Sequence, residues 1–218
     1  MTDTKGTLSL ETASLPYHEV TFSNDGNSEK PCIVVFLHGG TCAGNDNEAQ
    51  MTEAGVDSIS KFLKTSNKNA ILLVPQCDKE SSWVNMRPAV GELISKFLPR
   101  ADAGQVYILG GSMGGTGTWG MLKMFPTLFA AAMPVAGDPT KSPEEYTSTT
   151  PVITVLGGND KVIKPQGTVN LIDELKDKGV DVWEEIVTAW SHEETCIQSY
   201  SMDRLGWLFK HTKNTTGE

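Results

Sequence analysis

The stretch Gln105-Val-Tyr-Ile-Leu-Gly-Gly-Ser112-Met-Gly-Gly115 decides how this chain is read. Its first half is a short apolar run of the kind found in strands buried on both faces. The run passes directly into G-x-S-x-G, from Gly110 to Gly114, and a helix is expected from there to about residue 125. Serine at the junction of strand and helix, with glycine two residues away on each side, is the pattern of a nucleophile elbow. The turn is so tight that larger side chains at those positions would collide, and the strained backbone lifts the serine hydroxyl out at the head of the helix. A phosphate cradle is the other reading of a glycine-rich turn. Neither G-x-x-x-x-G-K-[ST] nor G-x-G-x-x-G is present to support it.

Outward from this turn, strand-length apolar runs alternate with stretches of helical spacing. Strands are expected over 15–22, 32–38, 70–75, 105–110, 129–136, 151–156 and 180–187, with a polar turn over 23–27. Helices are expected over 48–63, 90–98, 165–178 and 194–210, the last with Ile197, Tyr200, Leu205 and Leu208 as core residues. Such alternation predicts an α/β fold, a mostly parallel central sheet with helices on both faces. Chemistry in sheets of this kind sits in the loops beyond the carboxyl ends of the strands. The polar segment 138–150 is a surface excursion too short for a separate cap domain. The domain reading is an N-terminal extension over 1–14, a single domain over 15–212 and a polar tail over 213–218.

A serine hydroxyl attacks only when a base removes its proton, so a histidine must reach Ser112. Of the four histidines, His18 lies in an early strand and His211 near the tail. His38 ends a strand beside two glycines, where fixing the loop suits it better. His192 follows the last expected strand in Trp190-Ser-His-Glu-Glu194 and is the candidate base. The acid that orients it is expected at Asp160, in Gly157-Gly-Asn-Asp160, with Asp138 as competitor after the preceding strand. His38-Gly-Gly40 supplies the remaining requirement, two backbone N–H donors for an oxyanion. These are expected from Gly40 and from Met113, the residue after the nucleophile.

Val34-Val-Phe-Leu-His-Gly-Gly40, Gly110-Gly-Ser-Met-Gly-Gly-Thr-Gly-Thr-Trp119, Gly158-Asn-Asp-Lys-Val162 and Ser191-His192 together resemble the α/β-hydrolase superfamily. Within it the chain is most similar to small capless esterases: the phospholipase/carboxylesterase group and the predicted-peptidase and feruloyl-esterase-like proteins. Leu73-Val-Pro-Gln-Cys77 and Trp83 also look like that group. The resemblance implies the α/β-hydrolase fold, a catalytic set of Ser112, Asp160 and His192, and no cofactor. Two departures stand out: Leu156-Gly-Gly where these relatives commonly carry His-Gly, and Trp-Ser-His-Glu-Glu around the base instead of Gly-His. Trp83 and Trp190 are candidates to line the substrate pocket.

The expected activity is hydrolysis of a small-molecule carboxylic ester through an acyl-enzyme. Thioester, lysophospholipid or small-peptide hydrolysis on the same residues is the alternative, and a catalytically silent binding protein the remote one. Eighteen Lys and Arg against 27 Asp and Glu leave a net charge of −9, which disfavours nucleic acids and anionic membranes as partners. No metal is expected, because neither H-E-x-x-H nor paired Cys/His spacing occurs. No apolar run is long enough to span a bilayer, and no secretory h-region opens the chain, so a cytoplasmic protein is expected. Four scattered cysteines read as reduced thiols, with a Cys42–Cys77 pair as the alternative. The sequence leaves the oligomeric state open.

Overall fold

The central strands are apolar at every position because both of their faces are covered. The computed structural model describes residues 1–10, 14–24 and 26–213. Its strands are β1 (Thr2–Ser9), β2 (Ser14–Phe22), β3 (Cys32–Leu37), β4 (Ala70–Pro75), β5 (Val106–Gly111), β6 (Ala131–Val135), β7 (Val152–Gly157) and β8 (Val182–Val187). The helices are α1 (Ala54–Thr65), α2 (Trp83–Phe97), α3 (Met113–Met124), α4 (Gln166–Asp177), α5 (His192–Gln198) and α6 (Met202–Phe209). The strands form one sheet in the order β1-β2-β4-β3-β5-β6-β7-β8. Pairing is parallel from β4 to β8, and β2 runs antiparallel to both β1 and β4.

Alternation within β3 assigns the two layers. Ile33, Val35 and Leu37 face a core built with Val90, Leu93 and Ile94 of α2, Trp119 and Leu122 of α3, and Ile172 and Leu175 of α4. Val34 and Phe36 face the other core, with Ile59 and Leu63 of α1 and Leu205 and Leu208 of α6. Helices α1 and α2, which flank β4 in the chain, therefore pack on opposite faces. The chain steps from β3 outward to β4 and then back to β5 on the far side of β3. Loops leaving β3 and β5 diverge at this reversal and open a crevice at their carboxyl ends.

The structure departs from the sequence reading in several places. Residues 2–9, expected as part of an extension, form edge strand β1, registered with β2 from Thr2↔Thr21 to Ser9↔Ser14. Both faces of β1 are largely exposed, so the strand lacks the apolar alternation that would have marked it. Helix α2 begins at Trp83, well ahead of the expected start at 90, and carries Pro88 inside it. Pro88 has no N–H for the Val84 carbonyl, and Arg87 Nε takes that acceptor instead at 2.7 Å. The helix expected over 48–63 starts only at Ala54, after a short 3-10 turn over Ala49–Thr52. The closing helix is split in two, because Ser191 and Ser201 each cap a new start. Ile197, expected in the core, is 51% exposed, whereas Tyr200, Leu205 and Leu208 are buried. Residues 11–13, Asp25 in the expected 23–27 turn, and 214–218 of the expected tail lie outside the described residues. All four cysteines are free thiols. Among the described residues, no helix is long and apolar enough to cross a membrane.

Candidate active site

Ser112 sits between β5 and α3 with φ +57° and ψ −117°, a left-handed conformation that costs a non-glycine residue about 1–3 kcal/mol. The strain is held by Ser112 N–H donating to Val135 O at 3.0 Å. Close backbone approach explains the flanking glycines. A Cβ on Gly110 would lie 2.5 Å from the Gly114 carbonyl oxygen, and one on Gly114 would run into the carbonyls of Leu37 and His38. The elbow expected from G-x-S-x-G is thus a place where three stretches of main chain touch.

The structure brings the three expected side chains together. His192 Nε2 lies 2.8 Å from Ser112 Oγ, and His192 Nδ1 lies 2.7 Å from Asp160 Oδ2. Asp160 follows β7 and is buried, and its Oδ1 accepts from the N–H groups of Val162 and Ile163 at 2.8 and 2.9 Å. Those two bonds aim Oδ2 at the imidazole. His192, the candidate base, is the first residue of α5, where the sequence suggested a loop. Ser191 and Glu194 close a capping box around it, a signal present in Ser191-His-Glu-Glu194 and passed over in the sequence reading. Asn159 N–H donates to Trp190 O at 3.1 Å, tying the loop of Asp160 to the segment that leads into His192. Asp138 is elsewhere occupied: its Oδ1 accepts from the N–H and hydroxyl of Thr140 at 2.9 and 2.6 Å.

The loop after β3 is clamped from two sides. His38 is fully buried, and its Nε2 accepts from Cys77 N–H at 2.9 Å. Nδ1 therefore carries the proton and donates to Gly39 O at 2.6 Å. Burial lowers the His38 pKa below the ordinary imidazole value and keeps this neutral tautomer. In a trans peptide the Gly40 N–H points opposite to the Gly39 C=O, hence away from the His38 ring. Gly40 lines the cleft at Ser112. On the other side, Gly39 N–H donates to Glu53 Oε1 at 2.8 Å. Among the described residues neither the Gly40 nor the Met113 N–H has an acceptor, and Met113 opens α3, where the helix dipole favours negative charge.

The cleft has a volume of about 610 Å³. Its walls bring in residues outside the expected site set: Cys42, Thr52, Glu53, Glu193 and Cys196. They come from loops and helix starts whose convergence no local pattern announces. Cys196 Sγ lies 4.0 Å from His192 Nε2, and burial, with the carboxylates of Glu53 and Asp160, pushes its pKa up to about 12. Neither tryptophan lines the cleft. Trp83 is buried under the loop, its Nε1 donating to His38 O at 2.9 Å and its ring packed edge-on against the imidazole. Trp190 packs on the core beside α6, with the Arg204 guanidinium 5.7 Å from its ring centre.

No family model matches the sequence, and no curated protein matches it either. Solved structures do. A thermostable esterase superposes with a TM-score of 0.82 at 25% identity, over 97% of this chain and 63% of its own. A mutant of the feruloyl esterase module from Clostridium thermocellum, complexed with sinapinate, gives 0.74 at 13% identity over 100% and 91%. An acylaminoacyl peptidase from Pyrococcus horikoshii gives 0.71 at 15% identity over 100% and 43%. The chain thus spans less than two thirds of the thermostable esterase and of the peptidase, and nearly all of the feruloyl esterase module. The reversal in strand order, the strained turn at Ser112 and these neighbours establish that the chain has the α/β-hydrolase fold.

Proposed function

We propose that the protein is a serine hydrolase that cleaves carboxylic esters through an acyl-enzyme. The observation that carries this reading is the unbroken chain from Ser112 Oγ to His192 to buried Asp160, at 2.8 and 2.7 Å. His192 Nε2 takes the Ser112 proton as Oγ attacks the ester carbonyl. Asp160 holds Nδ1–H, fixes the tautomer and stabilises the imidazolium that forms. The Gly40 and Met113 N–H groups, without acceptors among the described residues, receive the oxyanion of the tetrahedral intermediate. Collapse of that intermediate expels the alcohol, which takes the proton from His192. Water then repeats the sequence: His192 removes its proton, the hydroxide adds to the acyl carbonyl, and Ser112 leaves with the proton returned.

The test is labelling with a fluorophosphonate probe followed by peptide mapping, alongside turnover of a p-nitrophenyl ester. The expected result is modification at Ser112 and loss of at least about 10⁴-fold in kcat in Ser112→Ala, since such serines contribute on the order of 10⁶-fold. Labelling at another residue, or a variant with more than about a hundredth of the wild-type rate, overturns the assignment.

A further inference from the structure

We propose that Glu53 makes the cleft selective for esters that carry a cationic nitrogen. The inference deepens the serine-esterase reading and rests on it. A Cβ on Gly39 would lie 3.2 Å from Glu53 Oε1 and 3.8 Å from Ser112 Cβ, so carboxylate and candidate nucleophile flank the same spot. Glu53 is half-buried, and among the described residues its carboxylate has no ion-pair partner. Its neighbours among the described residues are neutral donors: the Gly39 N–H engages Oε1, and the Cys42 thiol lies against the carboxylate. The cleft walls contain Glu53 and Glu193 but neither lysine nor arginine. Beneath the cleft, the Tyr200 hydroxyl lies 3.1 Å from where a Gly111 Cβ would stand and has no hydrogen-bond partner among the described residues, so the group under the floor supplies no counter-charge to Glu53.

An uncompensated carboxylate there opposes the chemistry of a neutral substrate. Negative charge develops on the ester oxygen at the Gly40 N–H, one residue beyond the peptide that Glu53 holds, and like charges repel. A cation within the substrate cancels that repulsion and supplies the counter-charge Glu53 lacks. The effect therefore changes sign with substrate charge, which a residue that merely braces the loop would not produce. Gln at position 53 keeps an oxygen for the Gly39 N–H and removes the charge.

The experiment compares p-nitrophenyl esters of γ-trimethylammoniobutyrate and of its neutral isostere, in which tert-butyl replaces the trimethylammonium group. Acetylcholine and its tert-butyl isostere form a second arm that places the cation on the alcohol side. Wild-type protein is expected to favour the cationic member of at least one pair by about tenfold in kcat/KM at low salt, with the preference shrinking as salt rises. In Glu53→Gln, kcat/KM should fall for the cationic ester and rise for the neutral one. Equal wild-type values in both arms, a preference that survives Glu53→Gln, or a proportional fall for both esters would overturn the inference. Should the variant fail to fold, the two wild-type arms and their salt dependence decide. Absence of Ser112-dependent turnover of all four esters, cationic and neutral alike, would overturn this inference and the esterase reading together.

Discussion

Exchanging Asp160 for asparagine separates what this carboxylate does by charge from what it does by shape. Asp160 Oδ1 accepts from Val162 N–H and Ile163 N–H, and an asparagine oxygen can keep both bonds. The change falls on the other atom, where an amide NH₂ would replace the oxygen 2.7 Å from His192 Nδ1. An NH₂ facing Nδ1 demands that Nδ1 accept, so the imidazole proton moves to Nε2. His192 then presents a donor to Ser112 Oγ across 2.8 Å where the proposed mechanism needs an acceptor. The charge that would steady the imidazolium is lost as well. The loss expected for a wrong tautomer is about 10⁴-fold in kcat, equivalent to about 5.5 kcal/mol of barrier. Fold stability should change far less, by about 1–2 kcal/mol, because one charge-assisted hydrogen bond is exchanged for a neutral one.

Asp138→Asn is the matched control, since Asp138 binds Thr140 and does not contact His192. Its kcat/KM should stay within about threefold of wild type, corresponding to about 0.7 kcal/mol. Steady-state kinetics on a p-nitrophenyl ester and a thermal melt of each variant decide the matter. An Asp160→Asn protein retaining more than about a hundredth of wild-type kcat, or one less impaired than Asp138→Asn, would refute the reasoning.

Gly114→Ala presses a methyl group into the carbonyls of Leu37 and His38, which as backbone cannot rotate away, and should lower the urea-derived unfolding free energy by about 3 kcal/mol or more. Trp83→Phe strips the His38 carbonyl of its indole donor and should cost about 1–3 kcal/mol, while the order of KM across an acyl-chain series stays as in wild type. Burial lowers the His38 pKa in the folded state, so its stabilising contribution is complete above the unfolded value near 6.5 and is lost as pH falls through and below it. The melting temperature should therefore drop more steeply from pH 7 to pH 5 in wild type than in His38→Gln, which has no such titration; parallel pH profiles would refute this.

Much of the fold was legible because the central strands are short, apolar and interrupted by glycine-rich turns. Ser112, Asp160 and His192 were legible as candidates for a related reason, since each comes just after a strand, at the end of the sheet where such folds place chemistry. What stayed hidden had no local period. Strand β1 is polar on both faces, and its pairing with β2 comes from backbone hydrogen bonds that side-chain patterning does not record. The split between α5 and α6 is set by capping serines inside a stretch whose apolar spacing reads as one helix. Trp83 was assigned to the pocket because it follows a strand, yet its indole N–H found the His38 carbonyl and the ring went under the loop. Glu53 carried no signal at all: it ends a short turn, and it meets Ser112 only through the crevice opened by the reversal of strand order.

The site is assembled from two halves that are stiff for different reasons. In one, the β3 loop and the β5–α3 turn are keyed by main-chain contact, with Gly114 seated against the carbonyls of Leu37 and His38. The spacing of the Gly40 and Met113 N–H groups is thereby set by backbone packing, which tolerates little adjustment. In the other, the loops after β7 and β8 are joined by Asn159 N–H to Trp190 O and by Asp160 to His192. The hydrogen bond between His192 Nε2 and Ser112 Oγ spans the halves. A strained serine on one rigid block and an oriented imidazole on the other meet without either having to move far, which is the preorganisation that the proposed acyl transfer would require. Loosening either block should then act on kcat before it acts on binding, because the geometry it disturbs is that of the reacting atoms and not of the cleft walls.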